Sequence, residues 1–356
     1  MLPQRSTRRD PWLDNAKMAL VTLVVIGHFW TLLPDTAVNR HLYDFLYAWH
    51  IPAFVLVTGY LSRGFDWTGP RLWQLVRTIA VPYVLFECAF GLFRVYVGGE
   101  RLEDLFLDPH WPLWYLPAVF LWRLVTPIFR ELPGGLLLAV VLSLAAGVWV
   151  ADTLDLARVI GLLPFFVLGL KATPERLERL RSRWVAGAAV LVFGGIVAAT
   201  WSIDSWASTE WLYYRAMYVE LTTSDLEAVA IRSGVLVIGG LGALAFLALV
   251  PRVGGWFTSM GAATLVVYLF HGFAVKGAEF AGFQGWADRH EAASLVITTG
   301  AGLALALLLA WRPVASRLTH LVDPFGYADR HARDAATLAA VTLAVAVDEP
   351  TEDLPR

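Results

Sequence analysis

The chain has 356 residues, of which 57% are hydrophobic and only 16% are charged, and its mean hydropathy is +0.58. This composition excludes a soluble globular protein and indicates a polytopic membrane protein. The formal net charge of −2 points to no particular partner, and we expect a lipid bilayer and no nucleic acid around the chain.

Apolar runs long enough to cross a bilayer, about 17 to 25 residues each, recur along the chain. We predict about ten transmembrane helices, over residues 17–34, 42–62, 72–97, 112–130, 134–151, 156–171, 184–201, 230–250, 256–277 and 293–311. The expected fold is all-α, with one membrane domain over 17–311. A cytoplasmic segment over 1–16 precedes it, and a cytoplasmic tail over 312–356 follows as an interfacial helix or a disordered segment.

Lysine and arginine residues are enriched in the loops of membrane proteins that stay in the cytoplasm. Here they cluster before the first predicted span, after the second, between the sixth and seventh, and after the tenth. Both termini are therefore expected in the cytoplasm of a multi-pass protein of the cell membrane. The longest outward loop, 202–229, is rich in Trp, Tyr and acidic residues, which suits either carbohydrate binding or the membrane interface.

Two ionisable side chains, Lys17 and His28, lie in the first predicted span. An eleven-residue step returns to nearly the same helix face, and it separates the two residues by roughly 16 Å. Lys17 is expected at the cytoplasmic surface and His28 near the middle of the membrane. Ionisable groups are costly there, so His28 is a candidate functional residue.

His50 and His271 lie in the second and ninth predicted spans, at levels from which all three histidines can meet. A metal site is disfavoured because short ligand spacings and a Cys or carboxylate cluster are missing. Acid–base chemistry suits imidazoles better, since their ordinary pKa of about 6.5 allows proton transfer near neutral pH. For His50 and His271, a hydrogen bond between helices is an equally good explanation.

Several motifs resemble those of the integral-membrane acyltransferase 3 family, in particular its branch similar to fucose 4-O-acetylases. They comprise Leu13-Asp14-Asn15 followed by Lys17 and His28, His50-Ile51-Pro52 with Thr58-Gly59-Tyr60, Trp114-Tyr115-Leu116, the run Phe165 to Gly169, and Gly261 with Tyr268-Leu269-Phe270-His271. They occur in the family's order between about residue 10 and about 275. Many members carry arginine at the position of Lys17, and either residue can bind a phosphate.

The resemblance implies transfer of an acyl group, most often acetyl, from cytoplasmic acyl-CoA to a hydroxyl of a carbohydrate or a lipid-linked glycan. The extended pantetheine arm of coenzyme A is comparable in length to the distance between Lys17 and His28. The phosphates of acetyl-CoA are then expected at Lys17 and at three arginines, Arg63, Arg71 and Arg77. The alternative for the arginines is the positive-inside rule alone.

His28 is the preferred general base, and a transient acyl-histidine is the alternative. We expect His50 and His271 to assist catalysis, and Asp14 to support Lys17 through an i, i+3 contact. Three aromatic residues, Trp114, Tyr115 and Tyr268, are candidates for binding the acceptor. No metal is expected.

A proton-coupled secondary transporter of an anionic small molecule is the rival prediction, because intramembrane histidines and basic residues also suit that function. Against it, the sequence shows neither repeated halves nor a matched pair of interrupted helices.

Overall fold

The computed structural model describes residues 10–101, 106–149, 153–221, 224–329 and 337. These residues form helices and connecting turns, and none of them lies in a β-strand, so the predicted all-α fold is confirmed. The α-helices are α1 (Pro11–Trp30), α2 (Ala37–Tyr47), α3 (His50–Ser62), α4 (Gly69–Leu75), α5 (Val81–Tyr96), α6 (Tyr115–Glu131), α7 (Gly135–Trp149), α8 (Leu156–Gly161), α9 (Leu163–Leu170), α10 (Pro174–Glu178), α11 (Arg183–Trp201), α12 (Thr209–Tyr213), α13 (Asp225–Leu249), α14 (Trp256–Met260), α15 (Thr264–Phe280), α16 (Phe283–Ala287), α17 (Glu291–Ala310) and α18 (Arg312–Val322). A π-helical turn, Val76–Ala80, joins α4 to α5.

Five helical segments of the described chain are long and apolar enough to cross a membrane: Ala37–Ser62, Gly69–Tyr96, Arg183–Trp201, Asp225–Leu249 and Glu291–Ala310. A sixth candidate is the pair α8 and α9, which is bent by 56°. Each of the ten predicted segments contains a helix, although α6, α7 and α15 have at most 17 residues. The chain is thus a helical protein with about five candidate spans, and the number ten stays a prediction.

The first helix differs from its predicted bounds because polar signals set its ends. It begins at Pro11, where the Asp10 side chain accepts a hydrogen bond from the backbone N–H of Trp12. It ends at Trp30, a few residues before Pro34, rather than at residue 34. His28 therefore lies in the last turn of α1 and not in the middle of a longer helix.

The sixth predicted span is broken by a proline. Pro164 stands in the first turn of α9, directly after the bend at Leu162. Proline lacks a backbone N–H and its ring clashes with the carbonyl four residues earlier, so the helix cannot continue straight through this position.

Helix α1 lies at the centre of the bundle and packs against α3, α14, α15 and α17. Its side chains are buried along almost its whole length, from Trp12 to Phe29. A helix that is largely apolar on every face is expected in such a central position. The polar side chains of Asn15 and Thr258 bond each other at 2.7 Å, and Asn15 also donates to the carbonyls of Pro251 and Val253. These bonds fix the first turns of α1 beside α14.

Helices α3 and α9 cross with their backbones in close contact at two glycines. A Cβ atom added to Gly59 would overlap the carbonyl of Phe166, and one added to Gly169 would overlap the carbonyl of Leu56. Small residues allow membrane helices to approach in this way. The Thr58-Gly59-Tyr60 and Phe165 to Gly169 motifs are therefore two halves of one helix contact.

Large apolar side chains are exposed on the outer helices, including Leu137 on α7, Leu191 on α11 and Val296 on α17. Such faces are typical of helices that contact lipid tails. The tail segment predicted to be interfacial or disordered lies outside the described residues, apart from α18, the residues up to 329, and residue 337.

Candidate functional site

Two of the three predicted histidines meet between α1 and α15. Nδ1 of His28 lies 2.7 Å from Nε2 of His271, and the two rings stack with their centroids 5.0 Å apart. Nδ1 of His271 lies 2.7 Å from the backbone carbonyl oxygen of Tyr268. The result is a chain of two hydrogen bonds that ends on the backbone of α15.

This chain fixes the tautomers of both rings when they are neutral. A carbonyl oxygen can only accept, so Nδ1 of His271 carries a proton and Nε2 of the same ring accepts. The proton between the rings therefore belongs to Nδ1 of His28. Nε2 of His28 is then left with a free lone pair, which is the form that a general base requires.

The ring of His28 lines a cavity of about 570 Å³, here called the histidine cavity. Trp111 lies against it, with ring centroids 4.4 Å apart. The other lining residues come from the end of α1, from α2 and α3, and from the segments around 114, 158 and 210–220. The cavity is thus large enough for a sugar-sized molecule to approach His28.

A second cavity of about 300 Å³, here called the lysine cavity, lies at the other end of α1. Lys17 lines it together with Arg123, Thr58 and Thr78. Nζ of Lys17 lies 2.8 Å from Oδ1 of Asp14, the contact that their i, i+3 spacing predicts. The cavity therefore has two basic residues, Lys17 and Arg123, in largely apolar walls.

Hydrogen bonds join three of the sequence motifs in the wall of the lysine cavity. The hydroxyl of Tyr115 lies 2.6 Å from that of Thr58. The hydroxyl of Tyr268 donates to the carbonyl of Pro112 at 2.7 Å and accepts from the backbone N–H of Tyr115 at 3.2 Å. These bonds hold the 112–115 turn against α15, three residues before His271.

Comparisons with known proteins give a family for the chain. A family of acyltransferase domains matches residues 10–311, which include every residue of the site described above. The chain belongs to this acyltransferase family. It is also similar to the nodulation protein NolL of Sinorhizobium fredii (strain NBRC 101917 / NGR234), with 22% identity over 354 residues, covering 91% of this chain and 92% of that protein. No solved structure matches the chain.

The other basic residues predicted to bind the donor of this acyltransferase are engaged elsewhere in the protein. Arg63 donates to the carbonyls of Tyr60 and Ala172. Nε of Arg71 lies 3.4 Å from Asp66, and Nε of Arg77 lies 3.5 Å from Asp323. None of these three arginines lines the lysine cavity, although Thr78 and Ile79 beside Arg77 do.

The third histidine, His50, is fully buried and bonds the backbone of its own segment instead of the His28–His271 pair. Its Nδ1 lies 2.7 Å from the carbonyl oxygen of Leu46, and its ring contacts Tyr47, which lines the histidine cavity. Over the residues that the structure describes, no group of three or more His, Cys, Asp or Glu side chains could hold a metal ion.

Several residues at these cavities were missed in the sequence. Arg123 and Arg158 lie inside predicted spans, and a charged residue there is itself a signal of a functional site. Trp111 carried no such signal, because the turn that holds it forms only in the folded protein. The Oε1 atom of buried Glu87 accepts from the backbone N–H of His110 at 2.9 Å and also bonds its ring, which positions Trp111.

The aromatic loop over 202–221 has two parts with different environments. Glu210, Tyr213 and Glu220 line the histidine cavity, as the predicted carbohydrate-binding role would require. Trp211, Tyr214 and Tyr218 instead surround the buried guanidinium of Arg232, at 5.1 to 5.8 Å from the ring centroids. Burial raises the pKa of Tyr213, Tyr214 and Tyr218, so their hydroxyls stay protonated at neutral pH.

Proposed function

We propose that this acyltransferase moves an acyl group, acetyl in the first instance, from cytoplasmic acyl-CoA to a hydroxyl of a carbohydrate or lipid-linked glycan. The observation that carries the proposal is the bond between His28 and His271, which leaves Nε2 of His28 unprotonated beside a cavity. A positioned imidazole of this kind is the usual general base for acyl transfer.

In the proposed reaction, the acceptor hydroxyl oxygen attacks the carbonyl carbon of the thioester while Nε2 of His28 takes the hydroxyl proton. The new C–O bond forms, the C–S bond breaks, and the thiolate of coenzyme A takes the proton back from the His28 imidazolium. His271 holds the His28 ring in one tautomer throughout, because its own Nδ1–H is fixed by the carbonyl of Tyr268. A transient acyl group on Nε2 of His28 is the alternative route.

The donor is proposed to enter through the lysine cavity. Lys17 and Arg123 supply positive charge there for the phosphates of coenzyme A. The eleven residues from Lys17 to His28 correspond to roughly 16 Å along α1, which suits the length of the pantetheine arm. Tyr115 and Tyr268 line the lysine cavity, so the arm is proposed to pass beside them.

The acceptor is proposed to bind in the histidine cavity, on the side opposite to the donor. Trp111 and Trp114 present aromatic rings there, and Glu210 and Tyr213 present polar groups. Aromatic rings with a few fixed polar groups are the usual way to bind and orient a small ligand.

A ten-span topology with both termini in the cytoplasm of a cell-membrane protein completes the proposal. The helix found at each predicted span supports the number of spans. The arginines between the sixth and seventh predicted spans support the orientation. Maleimide labelling of intact cells tests it in a Cys88→Ser background, which removes the one cysteine of the chain. Ser205→Cys should react with an impermeant reagent and Ser182→Cys only after lysis. The opposite pattern would reverse the topology.

Acyl transfer is tested with the purified full chain, radiolabelled acetyl-CoA and a mixture of bacterial glycolipids. Label in the glycolipid fraction, with release of one free thiol per acetyl group, is the expected result. Cys88 is exposed and adds a constant background thiol, so the Cys88→Ser variant serves as the control. Transfer that persists in His28→Ala would contradict the proposed mechanism. If the protein neither labelled the glycolipids nor bound acetyl-CoA, the proposed function would be wrong.

The transporter alternative gains no observation of its own from the structure. Membership of the acyltransferase family favours the enzyme, and uptake of acetyl-CoA or coenzyme A into liposomes would be needed to revive the rival.

A further inference from the structure

A third cavity, of about 370 Å³, lies beside the histidine cavity and is here called the arginine pocket. Its lining contains four arginines and two carboxylates, namely Arg94, Arg101, Arg158 and Arg215 with Asp108 and Asp155. Nε and Nη2 of Arg94 both bond Oε2 of Glu100. Of the four arginines, only two also line the histidine cavity.

Arg158 and Arg215 line both cavities, together with Trp111 and Trp114. The histidine cavity and the arginine pocket are thus neighbouring parts of one cleft, with His28 in one part. A molecule whose hydroxyl reaches His28 can extend past the two tryptophans to the arginines.

The guanidinium of Arg158 is held in a fixed orientation. Its Nε donates to the carbonyl of Tyr213 at 3.0 Å, and its Cζ lies 4.6 Å from the centroid of the Trp114 ring. Its Nη1 lies 3.4 Å from Asp155, which is too long for a strong charge-assisted bond. Only 14% of the side chain is exposed, so the charge is both partly desolvated and directed into the cleft.

Asp155 lies within ion-pair distance of both arginines. Nε of Arg215 lies 3.6 Å from its Oδ1, on the other side of the carboxylate from Arg158. Asp155 and the preceding Leu154 both have left-handed backbone conformations, with φ of 53° and 55°, which are uncommon for residues other than glycine. This backbone sets the carboxylate between the two guanidiniums, in the wall of the arginine pocket.

We infer that the arginine pocket binds an anionic group of the acceptor, a phosphate or a carboxylate, while the acceptor hydroxyl lies at His28. Guanidinium groups bind such planar or tetrahedral oxyanions through paired hydrogen bonds. The inference rests on the proposed function, because it assigns the acceptor to the histidine cavity. It narrows the acceptor from any carbohydrate to a negatively charged one, such as a sugar 1-phosphate or a uronic acid.

The donor is the other possible source of phosphate. Coenzyme A carries its own phosphates, but the proposed donor side has the lysine cavity at the opposite end of α1. If the donor bound at Arg158 and Arg215, its phosphates and the acceptor would compete for one cleft. A competition experiment with the nucleotide part of coenzyme A separates the two sources.

Binding is measured by saturation-transfer NMR with the purified full chain in an uncharged detergent. The probes are glucose 1-phosphate, glucuronate and the uncharged methyl α-glucoside. We expect at least one anionic sugar to bind about ten-fold more tightly than methyl α-glucoside. This binding should weaken as salt is added. The double variant Arg158→Gln, Arg215→Gln should abolish this preference, and Arg215→Gln alone, whose side chain is half-exposed, should weaken it about three-fold. The matched control is Arg40→Gln, an exposed arginine paired with Asp35 and Asp204 outside the cleft, which should change nothing.

Three outcomes would overturn the inference. Equal binding of charged and uncharged sugars would do so, as would a preference that survives both Arg215→Gln and the double variant with their folding intact. Loss of adenosine 3′,5′-bisphosphate binding in the double variant would place the donor in the arginine pocket instead. His28→Ala should keep the preference for anionic sugars, so acetyl transfer and anion binding can be tested separately. Acetyl transfer by a protein that shows no preference for anionic sugars would reject only the inference. A preference for anionic sugars in a protein that transfers no acetyl group would reject only the proposed function.

Discussion

His28 and His271 are 243 residues apart in the sequence, yet Nδ1 of the first lies 2.7 Å from Nε2 of the second. The second ring is fixed by the carbonyl of Tyr268, which cannot take a proton at any ordinary pH. The pair is therefore a means of orienting one imidazole and not a relay that carries a proton away. This division gives the two histidines different expected phenotypes.

Replacing His28 should remove the base itself. We expect His28→Gln to lower kcat for acetyl transfer by about 10²- to 10⁴-fold, the usual contribution of a positioned acid–base group. The KM for acetyl-CoA should change little, because the donor phosphates are proposed to bind at the other end of α1. Initial rates over a range of acetyl-CoA concentrations separate the two parameters.

A matched control for His28→Gln is His290→Gln, an exposed histidine that stacks on Trp286 and lines none of the three cavities described above. It should leave both kinetic parameters unchanged. If His28→Gln kept the full rate while eluting as the folded protein, the base would have to be another residue.

Replacing His271 should have a graded effect, since its role is to accept from Nδ1 of His28. His271→Gln retains a carbonyl oxygen that can accept this bond, whereas His271→Leu leaves a buried donor unpaired at a cost of about 1–3 kcal/mol. We therefore expect His271→Leu to reduce kcat more strongly than His271→Gln and to melt at a lower temperature. Equal kcat values for His271→Gln and His271→Leu would mean that the bond from Nδ1 of His28 does not orient its ring.

The sequence identified every long helix of the described chain, because apolar runs and arginine clusters are local signals. Helix ends were less predictable where polar residues decide them. The Asp10-Pro11 pair marks the start of α1, and Pro164 marks the bend before α9, although hydropathy alone runs through both. Whether the shorter helices cross the membrane depends on their surroundings, which the sequence does not contain.

The site was predictable to the extent that its residues are unusual for a membrane helix. Lys17 and His28 stood out for this reason, and His271 through its motif, but the contact between His28 and His271 depends on how α1 packs against α15. Arg63 was selected by its charge, whereas its bonds to the carbonyls of Tyr60 and Ala172 form only in the fold. Arg158 was passed over, although its charge within an apolar run was visible.

The glycine contact between α3 and α9 should be sensitive to a single added methyl group. In Gly59→Ala and Gly169→Ala the new Cβ meets a backbone carbonyl, which cannot move aside as a flexible side chain can. We expect each variant to lose about 1–3 kcal/mol of stability, seen as a lower melting temperature of the detergent-solubilised protein.

Gly187→Ala and Gly194→Ala on α11 are the controls, because a Cβ at either position meets nothing within 4 Å. Alanine favours helix over glycine by about 1 kcal/mol in the interior of a helix, so these variants should melt at the same temperature or higher. Equal melting of all four variants would show that α3 and α9 are not in close backbone contact.

Replacing the basic residues of the lysine cavity should weaken binding of a donor only when the donor carries the nucleotide phosphates. Lys17→Gln is expected to raise the KM for acetyl-CoA about ten-fold, which corresponds to about 1.4 kcal/mol, and Lys17→Arg should recover most of this because a guanidinium also binds phosphate. The same variants should not change the KM for acetyl-pantetheine, which lacks the nucleotide phosphates. Arg63→Gln should instead lower the melting temperature, since Arg63 binds backbone carbonyls. It should leave the ratio of the KM for acetyl-CoA to the KM for acetyl-pantetheine unchanged. If Lys17→Gln impaired both donors equally, Lys17 would act on the structure of α1 through Asp14 rather than on the phosphates.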